Sequence, residues 1–217
     1  LLRDDIVEKI IKILKKNKES DSTKPLIDAL NSEYQAVRIY AAGELANHKE
    51  PEVVKIFVDL ISDDDTEIRV LAVNVLGKIG GVSELKNLIS ALQDKETRVR
   101  ESAVKSLGKL GKKEAVFDLL SALSDPANSV VCAAAEALGE LKVDEAVEPL
   151  ISLFSNKDPK IRESAIVALG KFQDNRAIDP LINSLKDKDE RVRWYAADTL
   201  GKTGAKKSGY AVDCLAC

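Results

Sequence analysis

A branched aliphatic residue recurs every 31 positions along this chain, at Val37, Ile68, Val99, Val130, Ile161 and Val192. Four residues on, each copy carries an alanine: Ala41, Ala72, Ala103, Ala134, Ala165 and Ala196. Eight residues on stands a leucine: Leu45, Leu76, Leu107, Leu138, Leu169 and Leu200. Gly77, Gly108, Gly139, Gly170 and Gly201 follow that leucine, with Ala46 in the first copy. A period of this size, kept without a shift, marks a repeat architecture and limits the fold more than composition does.

The spacing within each copy is helical, because residues four and eight apart share one face of an α-helix. A second helical pattern keeps the same period, from Leu26, Ile27 and Leu30 to Leu181, Ile182 and Leu185. Between the two lie "SDDD", "QDKE", "SDPA" and "KDKD", whose aspartates and serines suit a helix N-terminus. Each copy is therefore a helical hairpin. One hairpin cannot bury its apolar stripe alone, so neighbours must stack. The expected fold is all-α: a right-handed α-solenoid of six stacked helical hairpins with an N-terminal capping helix. The alanines let adjacent helices approach closely. Pro25, Pro149 and Pro180 share one offset in the first helix, where they are expected to bend it. "DDIVEKIIKILKKN" fits the second-helix register one period earlier, with Ile6, Ile10 and Leu14 at the stripe positions, and reads as the cap.

The stretches "AVEPLISLFSNKDPKIRESAIVALGK" (146–171) and "AIDPLINSLKDKDERVRWYAADTLGK" (177–202) resemble the HEAT-repeat family, in particular the short HEAT-like repeats named after phycobilisome lyases. The resemblance covers residues 22–203. It implies a single repeat domain over 1–217, with the cap at 1–18, six repeats over 22–203, and 204–217 as a tail or the start of a further repeat. It also implies that the Val-Arg helix lines the concave face and the Pro-Leu-Ile helix the convex one. It speaks to fold more than to activity, since the family serves scaffolds, adaptors and a few enzymes.

Arg38, Arg69, Arg100, Arg162 and Arg193 each follow the branched residue, near the buried stripe. A guanidinium placed there needs an anion. Asp63, Asp94 and Asp187 stand six residues earlier, with Asn156 and Ser32 as weaker versions. One reading is a line of ligand-binding arginines. The favoured one is an internal ladder, each arginine paired with a turn acid of its own or an adjacent repeat. Val131 replaces arginine in the fourth copy, so the ladder should be interrupted there, with a change of curvature or a weak point.

On the opposite side of the second helix the copies diverge. Ile39-Tyr40 and Val70-Leu71 open the series, Glu101-Ser102 and Glu163-Ser164 occupy the middle, and Trp194-Tyr195 closes it. Exposed aromatic and aliphatic clusters rimmed by charge are typical binding anchors. The candidate partner-binding set is Ile39, Tyr40, Val70, Leu71, Asn74, Glu101, Lys105, Trp194, Tyr195 and Asp198. The alternative is that the apolar members serve packing at the ends of the array and that Glu101, Lys105 and Glu163 are solvated residues.

With 33 basic and 36 acidic residues the net charge is −3, which disfavours nucleic acid as a partner. No apolar run is long enough to span a bilayer, and the start lacks a signal peptide's pattern, so a cytoplasmic location is expected. Three cysteines make no disulfide framework. Cys214 and Cys217 form a lone CxxC without the further ligands of a zinc site. The single histidine, His48, rules out histidine relays and multi-histidine metal sites within one chain. Phosphate-binding glycine loops are absent from the sequence. No cofactor is expected. The expected function is a non-enzymatic scaffold or adaptor that binds a protein partner on the concave face. The alternative is a subunit that attaches a bilin, as the lyase resemblance implies, with Trp194, Tyr195, Tyr40 and arginines around the pigment. "YAVDCLAC" resembles the start of another first helix, and self-association through an uncapped last hairpin is a further expectation.

Overall fold

The computed structural model describes residues 2–16, 23–48, 50–79 and 81–202. The tail expectation, with Cys214 and Cys217, lies outside the described residues. Two compact units form, Leu1–Ser106 and Leu107–Cys217. Among the described residues the regular structure is entirely helical, and the fold is an all-α solenoid. The cap helix is α1 (Leu2–Lys16). The hairpins follow as α2 (Lys24–Ala29) with α3 (Gln35–Leu45), α4 (Pro51–Leu60) with α5 (Thr66–Ile79), and α6 (Val82–Ala91) with α7 (Thr97–Leu110). They continue as α8 (Val116–Ala122) with α9 (Asn128–Leu141), α10 (Val147–Ser152) with α11 (Pro159–Gly170), and α12 (Ile178–Ser184) with α13 (Glu190–Lys202).

The core is the stripe read from the sequence. Val37, Ile68, Val99, Val130, Ile161 and Val192 are all buried, as are all six alanines and the leucines from Leu45 to Leu169. Phe57, Leu88, Leu119, Leu150 and Leu181 bury the facing side of the first helices. Removing such side chains from water contributes about 2 kcal/mol apiece, which is the main term holding each hairpin to the next. Close approach has a measurable limit. A Cβ on Gly139 would lie 2.9 Å from the Cα of Ala168, so α9 and α11 touch through glycine and alanine with no room for another carbon.

The prolines act differently from the expected bend. Pro149 and Pro180 stand in the first turn of α10 and α12, each helix being entered through a 3-10 turn, Asp144–Ala146 and Asn175–Ala177. Pro25 likewise falls in the first turn of α2. A first-turn amide has no partner within its helix, so proline loses nothing there. The 3-10 entry does not need proline: Lys113–Ala115 makes it ahead of α8, where Asp118 occupies the proline site. The turns that precede these entries share a left-handed residue at the same offset, Gly111, Lys142 and Gln173.

Each loop leading into a second helix closes by one local rule. The side chains of Ser32, Asp63, Asp94, Asp125, Asn156 and Asp187 all accept the backbone N–H two residues ahead. Serine, asparagine and aspartate can all make this turn, and all three occur.

Candidate partner-binding face

The arginine series is tied down from two sides. Nη1 of Arg38, Arg69, Arg100, Arg162 and Arg193 donates to the carbonyl six residues back, on Ser32, Asp63, Asp94, Asn156 and Asp187, at 2.8–3.0 Å. In Arg69 and Arg162 the other edge of the guanidinium forks forward onto an acid. Arg69 Nε donates to Asp94 Oδ2 at 2.8 Å and Nη2 to Oδ1 at 3.1 Å. Arg162 makes the same fork on Asp187 at 2.8 and 2.6 Å. The carboxylate thus belongs to the next hairpin, 25 residues on, while the arginine's own turn supplies carbonyls. Arg38 departs slightly, its Nη2 meeting Asp65 at 3.4 Å.

The Arg69 and Asp94 side chains are only 5% and 12% exposed. Burial alone would raise the Asp94 carboxyl, but hydrogen bonds from Arg69 and the Glu96 amide, with the Arg69 charge, hold it below the usual carboxylate value. Asp187 is lowered against the same burial by Arg162 and the Asp189 amide. At Val131 no arginine is present, and there the forward position holds Asn156 instead of an acid. Val131 is buried within α9, the helix that also buries Val130, Ala133, Ala134, Ala135, Ala137 and Leu138. Apolar contact replaces the ion pair, and the asparagine keeps the turn.

The opposite face of the second helices is graded. Asn74 and Lys105 are exposed, while Ile39, Tyr40, Val70, Leu71 and Glu101 are half-buried. Tyr40 is already engaged, since Lys15 of α1 holds its ammonium 5.7 Å from the ring centroid. Glu101 pairs with Lys105 one turn on. On α13, Trp194 is 61% exposed and meets Tyr195 edge to face, with ring centroids 4.8 Å apart. Arg191 Nη2 donates to Glu163 Oε1 of α11 at 2.8 Å, and Lys202 Nζ to Asp198 Oδ2 at 2.5 Å. The charge of Glu163, followed by a hydrogen bond with Tyr195, raises Arg191 above its ordinary value. Two ion pairs thus flank the indole, which is itself left largely open. Exposed Val167 of α11 lies on the same ridge by register.

One exposed side chain was missed by following the second helices alone. Phe117 of α8 is the most exposed large apolar side chain among the described residues. Comparing the copies would have found it, because its place is held elsewhere by Lys24, Lys55, Lys86, Glu148 and Asp179. Among the described residues no group of histidine, cysteine, aspartate and glutamate is arranged to hold a metal ion.

The profile of HEAT repeats matches four times, over residues 23–102, 85–169, 116–201 and 147–216. The chain belongs to the HEAT-repeat family. This HEAT-repeat chain is similar in fold to the complex of CpcE and CpcF of phycocyanin lyase from Nostoc sp., at 24% identity and a TM-score of 0.60, covering 88% of this chain and 80% of that one. The YibA protein of E. coli gives 22% identity and a TM-score of 0.66, with 90% and 73% covered. A computationally designed armadillo repeat protein for modular peptide recognition gives 17% and 0.55, with 83% and 99% covered. No curated protein matches at a significant level. At these identities the likeness is one of fold, and no helix among the described residues is long and apolar enough to cross a membrane.

Proposed function

We propose that this HEAT-repeat chain is a non-enzymatic, cytoplasmic scaffold that holds a protein partner on the concave face formed by its second helices. The observation that carries the reading is Trp194, 61% exposed and braced edge-on by Tyr195, between the ion pairs Arg191–Glu163 and Lys202–Asp198. A large aromatic fixed in this way brings apolar area to an interface at little cost in side-chain entropy. Ile39, Tyr40, Val70, Leu71, Asn74, Glu101, Lys105 and Asp198 complete the proposed contact set. The designed armadillo protein, named for modular peptide recognition, supports this use of such a fold.

The test is affinity capture from native lysate with wild type and with Trp194→Glu/Tyr195→Glu, both checked by circular dichroism. A protein retained by wild type and lost from the folded variant supports the reading. Identical retention by both, or none, rejects it.

The likeness to phycocyanin lyase favours a second reading, a subunit for bilin attachment, in which the pigment would lie against Trp194 and Tyr195. The ladder arginines, committed to Asp94 and Asp187, are poor candidates for gripping its carboxylates. A shifted visible absorption band on adding free bilin supports this reading, and an unchanged spectrum removes it.

A further inference from the structure

The first helices of the second unit carry an apolar and acidic surface that the partner face does not use. Phe117 is 78% exposed at a position that neighbouring copies give to Lys86, Glu148 and Asp179. Behind it, Leu120 of α8 and Ile151 of α10 are half-buried at equivalent positions, making an apolar floor. Glu114 and Asp118 flank Phe117 on its own segment; one hairpin on, the repeat places Glu145 at the position of Glu114 and Glu148 at the position of Phe117 itself. Glu114, Glu145 and Glu148 are exposed and Asp118 half-buried. None of the four makes an ion pair with a described residue. The basic side chains nearby are Lys112, Lys113 and Lys142, at the leading ends of the two segments, and Arg176 of the next hairpin, which pairs with Asp144.

The contrast with the second helices gives the surface its meaning. There Arg191 neutralises Glu163, Lys171 neutralises Glu140 and Lys202 neutralises Asp198. Here Glu114 and Asp118 beside the exposed ring, and Glu145 and Glu148 one hairpin on, have no ion-pair partner among the described residues. Unpaired charge of one sign around an apolar anchor selects a partner of the opposite sign, because complementary potential guides the approach and the anchor supplies buried area.

We propose that the face built by α8 and α10 is a second docking surface, for a basic segment of a partner protein. The segment sets an apolar side chain beside Phe117 and lysines or arginines against Glu114, Asp118, Glu145 and Glu148. This surface is independent of the Trp194 face, so one can fail while the other holds.

The experiment uses the full chain and a fluorescein-labelled amphipathic lysine–leucine peptide, with a glutamate–leucine peptide of the same length as control, read by anisotropy. Wild type binds the lysine peptide and not the glutamate one, and added salt weakens the complex. Phe117→Ser, an exposed change whose fold circular dichroism checks, weakens binding about tenfold. Glu145→Gln/Glu148→Gln weakens it at low salt and flattens the salt dependence, while Trp194→Glu/Tyr195→Glu leaves it unchanged. Four results overturn the proposal: no binding, equal binding of both peptides, an unaffected Phe117→Ser chain, or loss in the Trp194/Tyr195 variant.

Discussion

Arg162 grips Asp187 with two parallel hydrogen bonds, Nε to Oδ2 at 2.8 Å and Nη2 to Oδ1 at 2.6 Å, across the step from α11 to α13. Its remaining nitrogen satisfies the carbonyls of Asn156 and Lys157. Replacing Arg162 by valine leaves Asp187 and two carbonyls without these donors and costs about 3 kcal/mol. Changing Asp187 to asparagine as well reproduces the Val131–Asn156 combination already present one repeat earlier. The double variant should be more stable than Arg162→Val alone. Urea denaturation of wild type, both single variants and the double variant measures the coupling.

Acid should loosen the array through these same acids. Asp94 and Asp187 have folded-state values held below the ordinary carboxylate value by Arg69 and Arg162, so the folded form favours their charged state. A depressed carboxylate contributes stability that is complete above the unfolded-state value and is lost as pH falls through the folded-state value. The melting temperature should therefore hold steady down to about pH 5 and then fall. Asp94→Asn, less stable at neutral pH, should show a shallower acid decline in thermal melts from neutral pH to about pH 3.

Backbone sterics give two opposite outcomes in the second unit. Gly139→Ala forces a carbon against the Ala168 backbone and should destabilise by about 1–3 kcal/mol. Lys142 holds a left-handed conformation at the end of α9, φ 51°, with its N–H donating to the carbonyl of Leu138. Lys142→Gly relieves that conformation, at the cost of a freer unfolded chain, and should stabilise by up to about 1 kcal/mol. Chemical denaturation of both variants checks the pair of signs.

Trp194 is the only tryptophan, so its fluorescence reports one place on the molecule. With 61% of its surface open, acrylamide should quench it readily in the folded chain, and a partner seated on α13 should protect it. A Stern–Volmer series with and without the captured partner tests this. Equal quenching in both places the partner elsewhere.

Periodicity carried the fold because burial repeats with it: Val130, Ala134 and Leu138 are buried for the same reason as Ile161, Ala165 and Leu169. The ladder was half legible. An arginine beside the stripe announces its need for an acid, but one copy cannot show that the acid comes from the next hairpin. The neutral residues at Ser32 and Asn156 become intelligible once the forward pairing is known, since Val7 and Val131 stand where their arginines would. The proline position was misread because a helical wheel continues through a 3-10 turn without noticing it. Phe117 escaped because a wheel centred on the second helix never displays the first.

Asp94 and Asp187 each close the loop of their own hairpin and hold the arginine of the hairpin before, so each is shared property. Dividing the protein between α5 and α6, or between α11 and α12, would separate a guanidinium from its acid and strand both. Dividing it between α9 and α10 separates valine from asparagine, which costs apolar cover and the surface pair of Glu140 with Lys171 but no guanidinium of the ladder. For anyone shortening, splicing or extending this array, that is the natural seam.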